Sequence, residues 1–306
     1  MASQHYINTI YKELILINIK VNVYLLLLFA GFSLLPSISK AQIVDLNITS
    51  KITATADYRE GKTGFPAVIL IHGFLQTRES PTIRRLADEL ASNGYTTLSP
   101  TLTLGITKRA QSLGCEAIHK HIMEDDKKEI SLWVEWLNSK KQKNIVLIGH
   151  SRANNVILSY LNETPDQSVK KGILISLPDD DFTSTAQDRQ KMVAFAKQNL
   201  KNSPNTLAPY KIAFCDKYMA TPESYLSFFG YSRNVVLNSI KTSKKPIEVI
   251  LGNKDERMMK DWPDQVKESG ASISVINDAN HFFSDQAEFE LNDVVMKSLR
   301  SLQVRR

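Results

Sequence analysis

Ser151, Asp255 and His281 are the residues whose types and order in the chain best fit covalent catalysis by a serine. A serine hydroxyl is a weak nucleophile at its free pKa, so it needs an adjacent base that is itself oriented by an acid. The chain has six histidines, and among them His281 alone follows Ser151. One known chain order of such groups runs serine, acid, histidine. This pattern predicts acyl transfer through a serine nucleophile.

The sequence around Ser151 predicts a strand, a sharp turn and a helix. Residues 145–148 are a short continuous apolar run, which is typical of a strand buried on both faces of a sheet. Behind the serine, apolar residues recur at helical spacing, namely Ala153, Val156, Ile157, Tyr160 and Leu161. Gly149 supplies a small residue where the strand and the helix have to pass close together.

Asp255 and His281 also follow predicted strands, which begin at Ile247 and Ile273. Because open α/β sheets place their sites at the carboxyl ends of parallel strands, we expect both side chains to lie beside Ser151. Asp179, after the strand over residues 172–177, is an alternative acid. Asp255 is favoured because it follows the strand that begins at Ile247, which directly precedes the strand leading to His281.

These residues also have ordinary structural interpretations. Asp255 could cap a nearby helix, and His281 could be a loop histidine that is hydrogen bonded to the backbone. Asp278 is interpreted as a turn former.

Gly149-His150-Ser151-Arg152-Ala153 resembles the Gly-x-Ser-x-Gly nucleophile elbow of the α/β-hydrolase superfamily, with alanine in place of the second glycine. The buried strand that ends at Ile71 runs into His72-Gly73-Phe74-Leu75, which resembles the His-Gly loop of the same superfamily. The resemblance implies that the backbone N–H groups of Phe74 and Arg152 form the oxyanion hole. His72 is interpreted as a structural residue that shapes the loop.

The resemblance also implies the fold class, an α/β-hydrolase fold whose mostly parallel central sheet is flanked by helices. Residues 43–60 predict two antiparallel edge strands that precede this sheet. Residues 178–246 separate two strands by far more than an ordinary connection and predict a helical cap inserted after the sixth strand. The aromatic residues over 210–231 could form the wall of an apolar acyl site or the internal packing of the cap.

The N-terminal region predicts export. Residues 21–37 are apolar, with Lys12 and Lys20 ahead of them, and Ser39 and Ala41 fit the small-residue positions of a cleavage site. We therefore expect a signal peptide over residues 1–41 and a hydrolase domain over 42–306. An uncleaved membrane anchor is the alternative, and no stable membrane span is expected once the signal is removed.

Cys115 and Cys215 are the two cysteines of the chain. Export would place them in an oxidising compartment, where a disulfide is possible. The sequence leaves pairing and free thiols open.

The formal net charge is +6, but the lysines are scattered and are not interleaved with aromatic residues. This pattern argues against a nucleic-acid partner. His119 and His121, with Glu124 and Asp125 nearby, do not form a matched ligand set, so no metal site is predicted. The proposed chemistry requires no cofactor.

The sequence therefore predicts a serine hydrolase that cleaves a small-molecule carboxylic ester. A peptidase or amidase with the same residues is an alternative, and so is a non-catalytic binding protein of the same fold.

Overall fold

The computed structural model describes residues 41–179 and 185–303. Apart from Ala41, the predicted signal peptide lies outside the described residues. The strands are β1 (Gln42–Asn47), β2 (Thr53–Arg59), β3 (Ala67–Ile71), β4 (Thr96–Thr101), β5 (Ile145–His150), β6 (Val169–Ile175), β7 (Ala208–Ile212), β8 (Cys215–Ala220), β9 (Ile247–Gly252) and β10 (Ser272–Ile276). The helices are α1 (Pro81–Ser92), α2 (Met123–Ser139), α3 (Ala153–Asn162), α4 (Ala186–Asn202), α5 (Pro222–Phe229), α6 (Arg233–Lys241), α7 (Trp262–Glu268) and α8 (Ala287–Arg300).

The central sheet has eight strands in the order β1-β2-β4-β3-β5-β6-β9-β10. From β4 to β10 all neighbouring strands are parallel, whereas β1 and β2 pair antiparallel with each other and β2 pairs antiparallel with β4. The predicted mostly parallel sheet and its antiparallel edge are confirmed. Because the parallel strands share one direction, the loops after β3, β5, β6, β9 and β10 all leave the same edge of the sheet.

Both faces of the sheet are covered by helices. One face packs against α1 and α8 through residues such as Ile83, Leu86 and Val295. The other face packs against α2 and α3 through residues such as Trp133 and Ile157. β5 is completely buried between these two layers, which explains why its sequence is continuously apolar rather than alternating.

The segment between β6 and β9, which we call the cap, contains more than the predicted helices. Its helices α4, α5 and α6 are accompanied by β7 and β8, which form an antiparallel hairpin separate from the central sheet. Met219 of β8 pairs with the loop that precedes α2. The His119 N–H of that loop donates to Met219 O, and the Met219 N–H donates to Cys115 O of the loop. The cap hairpin is therefore joined to the core by backbone hydrogen bonds.

Within the part of the chain that the structure describes, none of the helices combines the length and the apolar character needed to cross a membrane.

Candidate active site

The turn between β5 and α3 presents Ser151 in a left-handed backbone conformation, with φ of 57°. A non-glycine residue rarely adopts this conformation, and where it does so the surrounding structure has to hold it there. The Ser151 N–H donates to Ile175 O at 2.9 Å, and the Asn154 side-chain amide donates to the same carbonyl at 2.8 Å. A Cβ at Gly149 would lie 2.5 Å from Asn154 Oδ1, so this turn requires glycine there.

The structure brings Ser151, His281 and Asp255 into one chain of hydrogen bonds. His281 Nε2 lies 3.0 Å from Ser151 Oγ, and His281 Nδ1 lies 2.7 Å from Asp255 Oδ2. Since the carboxylate can only accept, Nδ1 carries a proton and Nε2 is free to accept the serine proton. This is the geometry in which a histidine acts as the base for a serine nucleophile.

Close packing between the loops after β9 and β10 aligns the acid with the histidine. A Cβ at Gly252, the last residue of β9, would lie 2.2 Å from Ala279 O. The Asp278 N–H donates to Asn253 Oδ1 at 2.7 Å, and Asp278 adopts a positive φ of 55°. Asp278 is thus a turn residue, and the turn places His281 against Asp255.

The Asp255 carboxyl is buried and held in its ionised form. Burial raises its pKa, but the hydrogen bond to His281 and the N–H and charge of Arg257 together outweigh burial, so the pKa lies below its ordinary value. Asp255 Oδ1 also accepts the Arg257 N–H at 2.9 Å.

The alternative acid, Asp179, is engaged elsewhere. Its carboxylate forms an ion pair with the Arg233 guanidinium, and Asp179 Oδ2 accepts the Met259 N–H at 3.1 Å. The structure thus couples Asp255 to His281 and uses Asp179 to join the end of β6 to α6.

Phe74 and Arg152, the two residues whose N–H groups were predicted to form the oxyanion hole, both line the pocket that contains Ser151 and His281. Phe74 follows β3, and Arg152 follows the serine. The Arg152 guanidinium carbon lies 5.8 Å from the centroid of the Phe74 ring. The two residues therefore meet beside the serine.

A buried polar network that the sequence analysis missed holds the loop that carries Phe74. Arg109 donates from Nε to Leu102 O at 2.8 Å, from Nη1 to Gln111 O at 2.8 Å and from Nη2 to Gln76 O at 2.7 Å. His72 Nδ1 donates to Gly73 O at 2.9 Å, and its Nε2 accepts the Leu102 N–H at 3.0 Å. No local pattern could have revealed it, because it joins segments about 30 residues apart.

His72 shapes its loop as a neutral histidine. Burial and the nearby charge of Arg109 lower its pKa to about 3. The ring therefore stays neutral at physiological pH and keeps one nitrogen as a donor and the other as an acceptor.

The pocket at Ser151 has a volume of about 620 Å³. Its walls come from the loops of the core and from the turn of the cap hairpin, where Phe214 is 62% exposed. The Phe214 ring lies 5.8 Å from the Phe74 ring in an edge-on arrangement. The volume is in the range of pockets that bind small molecules.

The aromatic residues of the cap lie in two kinds of environment, the interior of the cap and the walls of pockets. Tyr210 and Tyr225 are fully buried and stacked at 4.3 Å, so they form the internal packing of the cap. Phe214 lines the pocket at Ser151, and Phe229 lines a neighbouring pocket in the cap.

Cys115 and Cys215 form a disulfide that fastens the cap hairpin to the loop before α2, with a Cα–Cα distance of 5.5 Å. Cys215 directly follows Phe214. The disulfide thus anchors the hairpin next to the residue that lines the pocket.

His119 and His121 lie in aromatic packing. The His119 ring stacks on Tyr218 at 4.2 Å, and the His121 ring meets Phe228 edge-on at 5.1 Å. Among the described residues, no group of three or more histidine, cysteine or acidic side chains is arranged to hold a metal ion.

A sequence model of the α/β hydrolase fold matches residues 66–210. No curated protein matches the chain by sequence.

Solved structures share the fold at low identity. Est1E from Butyrivibrio proteoclasticus is 17% identical with a TM-score of 0.59, over 86% of this chain and 100% of that one. The α/β hydrolase GrgF from Penicillium sp. sh18 is 15% identical with a TM-score of 0.64, over 86% and 98%. The esterase Pf2001 from Pyrococcus furiosus is 18% identical with a TM-score of 0.59, over 86% and 91%. The family model and the common sheet architecture show that this chain has the α/β-hydrolase fold.

Proposed function

We propose that the protein is a serine hydrolase that cleaves carboxylic esters through an acyl-enzyme on Ser151. The observation that carries the proposal is the continuous hydrogen-bond chain from Ser151 Oγ through His281 to Asp255. Ser151 and His281 line a pocket large enough for a small molecule. A serine in the left-handed conformation, an oriented histidine and an ionised acid in hydrogen-bond contact are the combination expected of an active site.

In the proposed reaction, His281 Nε2 takes the proton of Ser151 as the oxygen attacks the ester carbonyl. The N–H groups of Phe74 and Arg152 donate to the oxyanion of the tetrahedral intermediate. Collapse of the intermediate breaks the bond to the alcohol, which leaves with the proton from His281. Water then attacks the acyl-enzyme, with His281 again as the base, and releases the acid and the serine. Asp255 holds the tautomer of His281 throughout.

Esters are favoured over amides by analogy with the structures of similar fold. One of them is named as an esterase from Pyrococcus furiosus, and another is a siderophore hydrolase from Aspergillus fumigatus. A fold by itself does not determine the substrate. The choice between ester and amide therefore needs its own measurement.

We also propose that the protein is exported. The apolar segment over residues 21–37 and the small residues before Gln42 support this. Cys115 and Cys215 form a disulfide. Disulfides form and persist in oxidising compartments outside the cytosol. Detection of a mature chain that begins at Gln42 in an extracytoplasmic fraction would support export, and a full-length cytosolic chain would contradict it.

Steady-state hydrolysis of 4-nitrophenyl esters and of the matching 4-nitroanilides tests the activity. We expect turnover of the esters to exceed that of the anilides, and Ser151→Ala to lower kcat by at least about a thousandfold. Ser139→Ala is the matched control, because Ser139 is exposed at the end of α2 and its hydroxyl donates to the nearby Trp136 O. Equal turnover by Ser151→Ala and the unmodified protein would contradict the proposal, and preferred anilide cleavage would favour an amidase.

A further inference from the structure

Gln76 stands in the wall of the pocket at Ser151, two residues after Phe74. Both polar groups of its backbone are held in place. The Gln76 N–H donates to Gly73 O at 3.1 Å, and Gln76 O accepts Arg109 Nη2 at 2.7 Å. The Gln76 side chain takes no part in the proposed reaction. A polar side chain on a fixed backbone in the wall of such a pocket is placed to recognise part of the substrate.

One atom of the Gln76 amide is buried without a partner. Gln76 Oε1 is enclosed and forms no hydrogen bond within the part of the chain that the structure describes, and the same holds for His150 Nδ1. A Cβ at Gly73 would lie 2.8 Å from Gln76 Oε1 and 3.3 Å from His150 Nδ1. The two unpartnered atoms therefore lie against the same face of Gly73.

Both of these atoms are acceptors. His150 Nε2 lies 2.9 Å from His281 O, which can only accept, so Nε2 carries the ring proton and Nδ1 offers a lone pair. Burial and the neighbouring His281 lower the pKa of His150 to about 4, so Nδ1 does not take up a second proton at physiological pH. An amide oxygen cannot hydrogen bond to such a nitrogen, whereas an amide N–H can donate to it.

A turn of the Gln76 amide resolves this mismatch. Since Oε1 is enclosed, Nε2 is the end of the amide that faces the pocket. The two ends have nearly the same shape and exchange places when the amide turns over, which directs the N–H towards His150 Nδ1. Because buried polar groups are paired in native proteins, hydrogen bonding favours the turned amide. In that orientation Gln76 presents its oxygen to the pocket.

We propose that Gln76 recognises a hydroxyl group of the substrate through its amide oxygen, and that the substrate is an ester with a hydroxyl close to the reacting carbonyl. Because burying a charge is costly, the matching donor is uncharged, and a hydroxyl is the smallest such group. A site that hydrogen bonds a substrate hydroxyl discriminates against the analogue without one, because its own polar group is then left unpaired. The inference rests on the proposed ester hydrolysis and adds the class of ester.

Pairs of esters of matched size test this inference. On the acyl side, 4-nitrophenyl 3-hydroxybutanoate is compared with 4-nitrophenyl 3-methylbutanoate, in which a methyl group replaces the hydroxyl. On the alcohol side, 2-hydroxyethyl butanoate is compared with propyl butanoate. We expect kcat/KM for the hydroxylated member of at least one pair to exceed that of its partner by about threefold to tenfold, which is the usual worth of one neutral hydrogen bond.

The same pairs are then measured with variants of Gln76. Gln76→Leu has a similar volume but no polar atom, and it should cleave both members of the preferred pair equally. Gln76→Glu keeps an oxygen at the pocket and should retain the preference. Gln198→Leu is the matched control, because Gln198 is exposed on α4 and does not line the pocket at Ser151. A ratio of two esters within one variant is independent of the amount of folded protein.

The outcomes separate this inference from the proposed function. If the hydroxylated member has no advantage in either pair, or if Gln76→Leu keeps the advantage, the inference is wrong and ester hydrolysis stands. Loss of the preference in both Gln76→Glu and Gln76→Leu would also overturn the inference, because the amide oxygen would not be the recognising atom. If no ester in either pair is cleaved by the folded protein, the proposed function fails and takes this inference with it.

Discussion

His150 holds the backbone of His281 in place. Its Nε2 lies 2.9 Å from His281 O, and because a carbonyl only accepts, Nε2 must carry the proton. Ser176 Oγ donates to the same carbonyl at 2.7 Å. Burial and the neighbouring His281 lower the pKa of His150 to about 4, so the ring stays neutral at physiological pH.

Removal of this donor should impair the reaction more than the fold. We expect His150→Phe to lower kcat about tenfold or more, because His281 loses a buried bond that fixes its position. His150→Gln keeps a side-chain N–H and should retain more of the activity. Steady-state kinetics and the thermal midpoint of each variant check this. Equal kcat for His150→Phe and the unmodified protein would show that His150 does not position the base.

Arg109 should support the loop that carries Phe74. Arg109→Met removes its buried bond to Leu102 O and its partly buried bonds to Gln111 O and Gln76 O. We expect a loss of about 3 kcal/mol in unfolding free energy and a fall in kcat. Arg84→Met is the matched control, since Arg84 is exposed on α1 and forms an exposed ion pair with Glu79. If both variants have the same stability and kcat, the loop does not depend on Arg109.

Glu129 should make stability depend on pH near neutrality. Burial raises the pKa of its carboxyl from 4.5 to about 7, although the hydrogen bonds from Thr103 oppose the rise. A raised acid pKa contributes stability below the unfolded-state pKa and loses it as pH rises through the folded-state pKa.

Glu129→Gln should therefore gain stability relative to the unmodified protein as pH rises from about 4.5 to above 7, by up to about 3 kcal/mol. Urea unfolding at pH 5 and pH 8 measures this difference. A difference between the two proteins that stays constant with pH would show that Glu129 does not titrate in this window.

The disulfide should stabilise the fold and the pocket wall together. Its two cysteines are 100 residues apart in sequence, so the chain-entropy model gives a contribution of about 4–5 kcal/mol. The double variant Cys115→Ser and Cys215→Ser should unfold at a lower temperature and bind substrate more weakly, because Phe214 adjoins Cys215. Reductant should produce the same changes in the unmodified protein and none in the double variant. A thermal midpoint that does not respond to either treatment would contradict this role.

The sequence predicts the features of this protein that depend on local pattern. β5 and α3 follow from an apolar run and a helical repeat, and the position of His281 follows from its place after the last strand. Long-range contacts determine what the sequence missed. The bond from Arg109 to Gln76 O joins residues 33 positions apart and leaves no local periodicity. The cap hairpin depends on pairing with the loop around His119. Two cysteines alone could not show whether they pair, because pairing depends on the distance between them in the fold.

Labelling with a fluorophosphonate probe tests the central claim most directly, because the probe reacts only with an activated serine. The account predicts covalent labelling of the folded protein at Ser151, with labelling abolished by Ser151→Ala and strongly reduced by His281→Ala. Labelling that persists in Ser151→Ala, or that is absent from a folded protein with an open pocket, would contradict it.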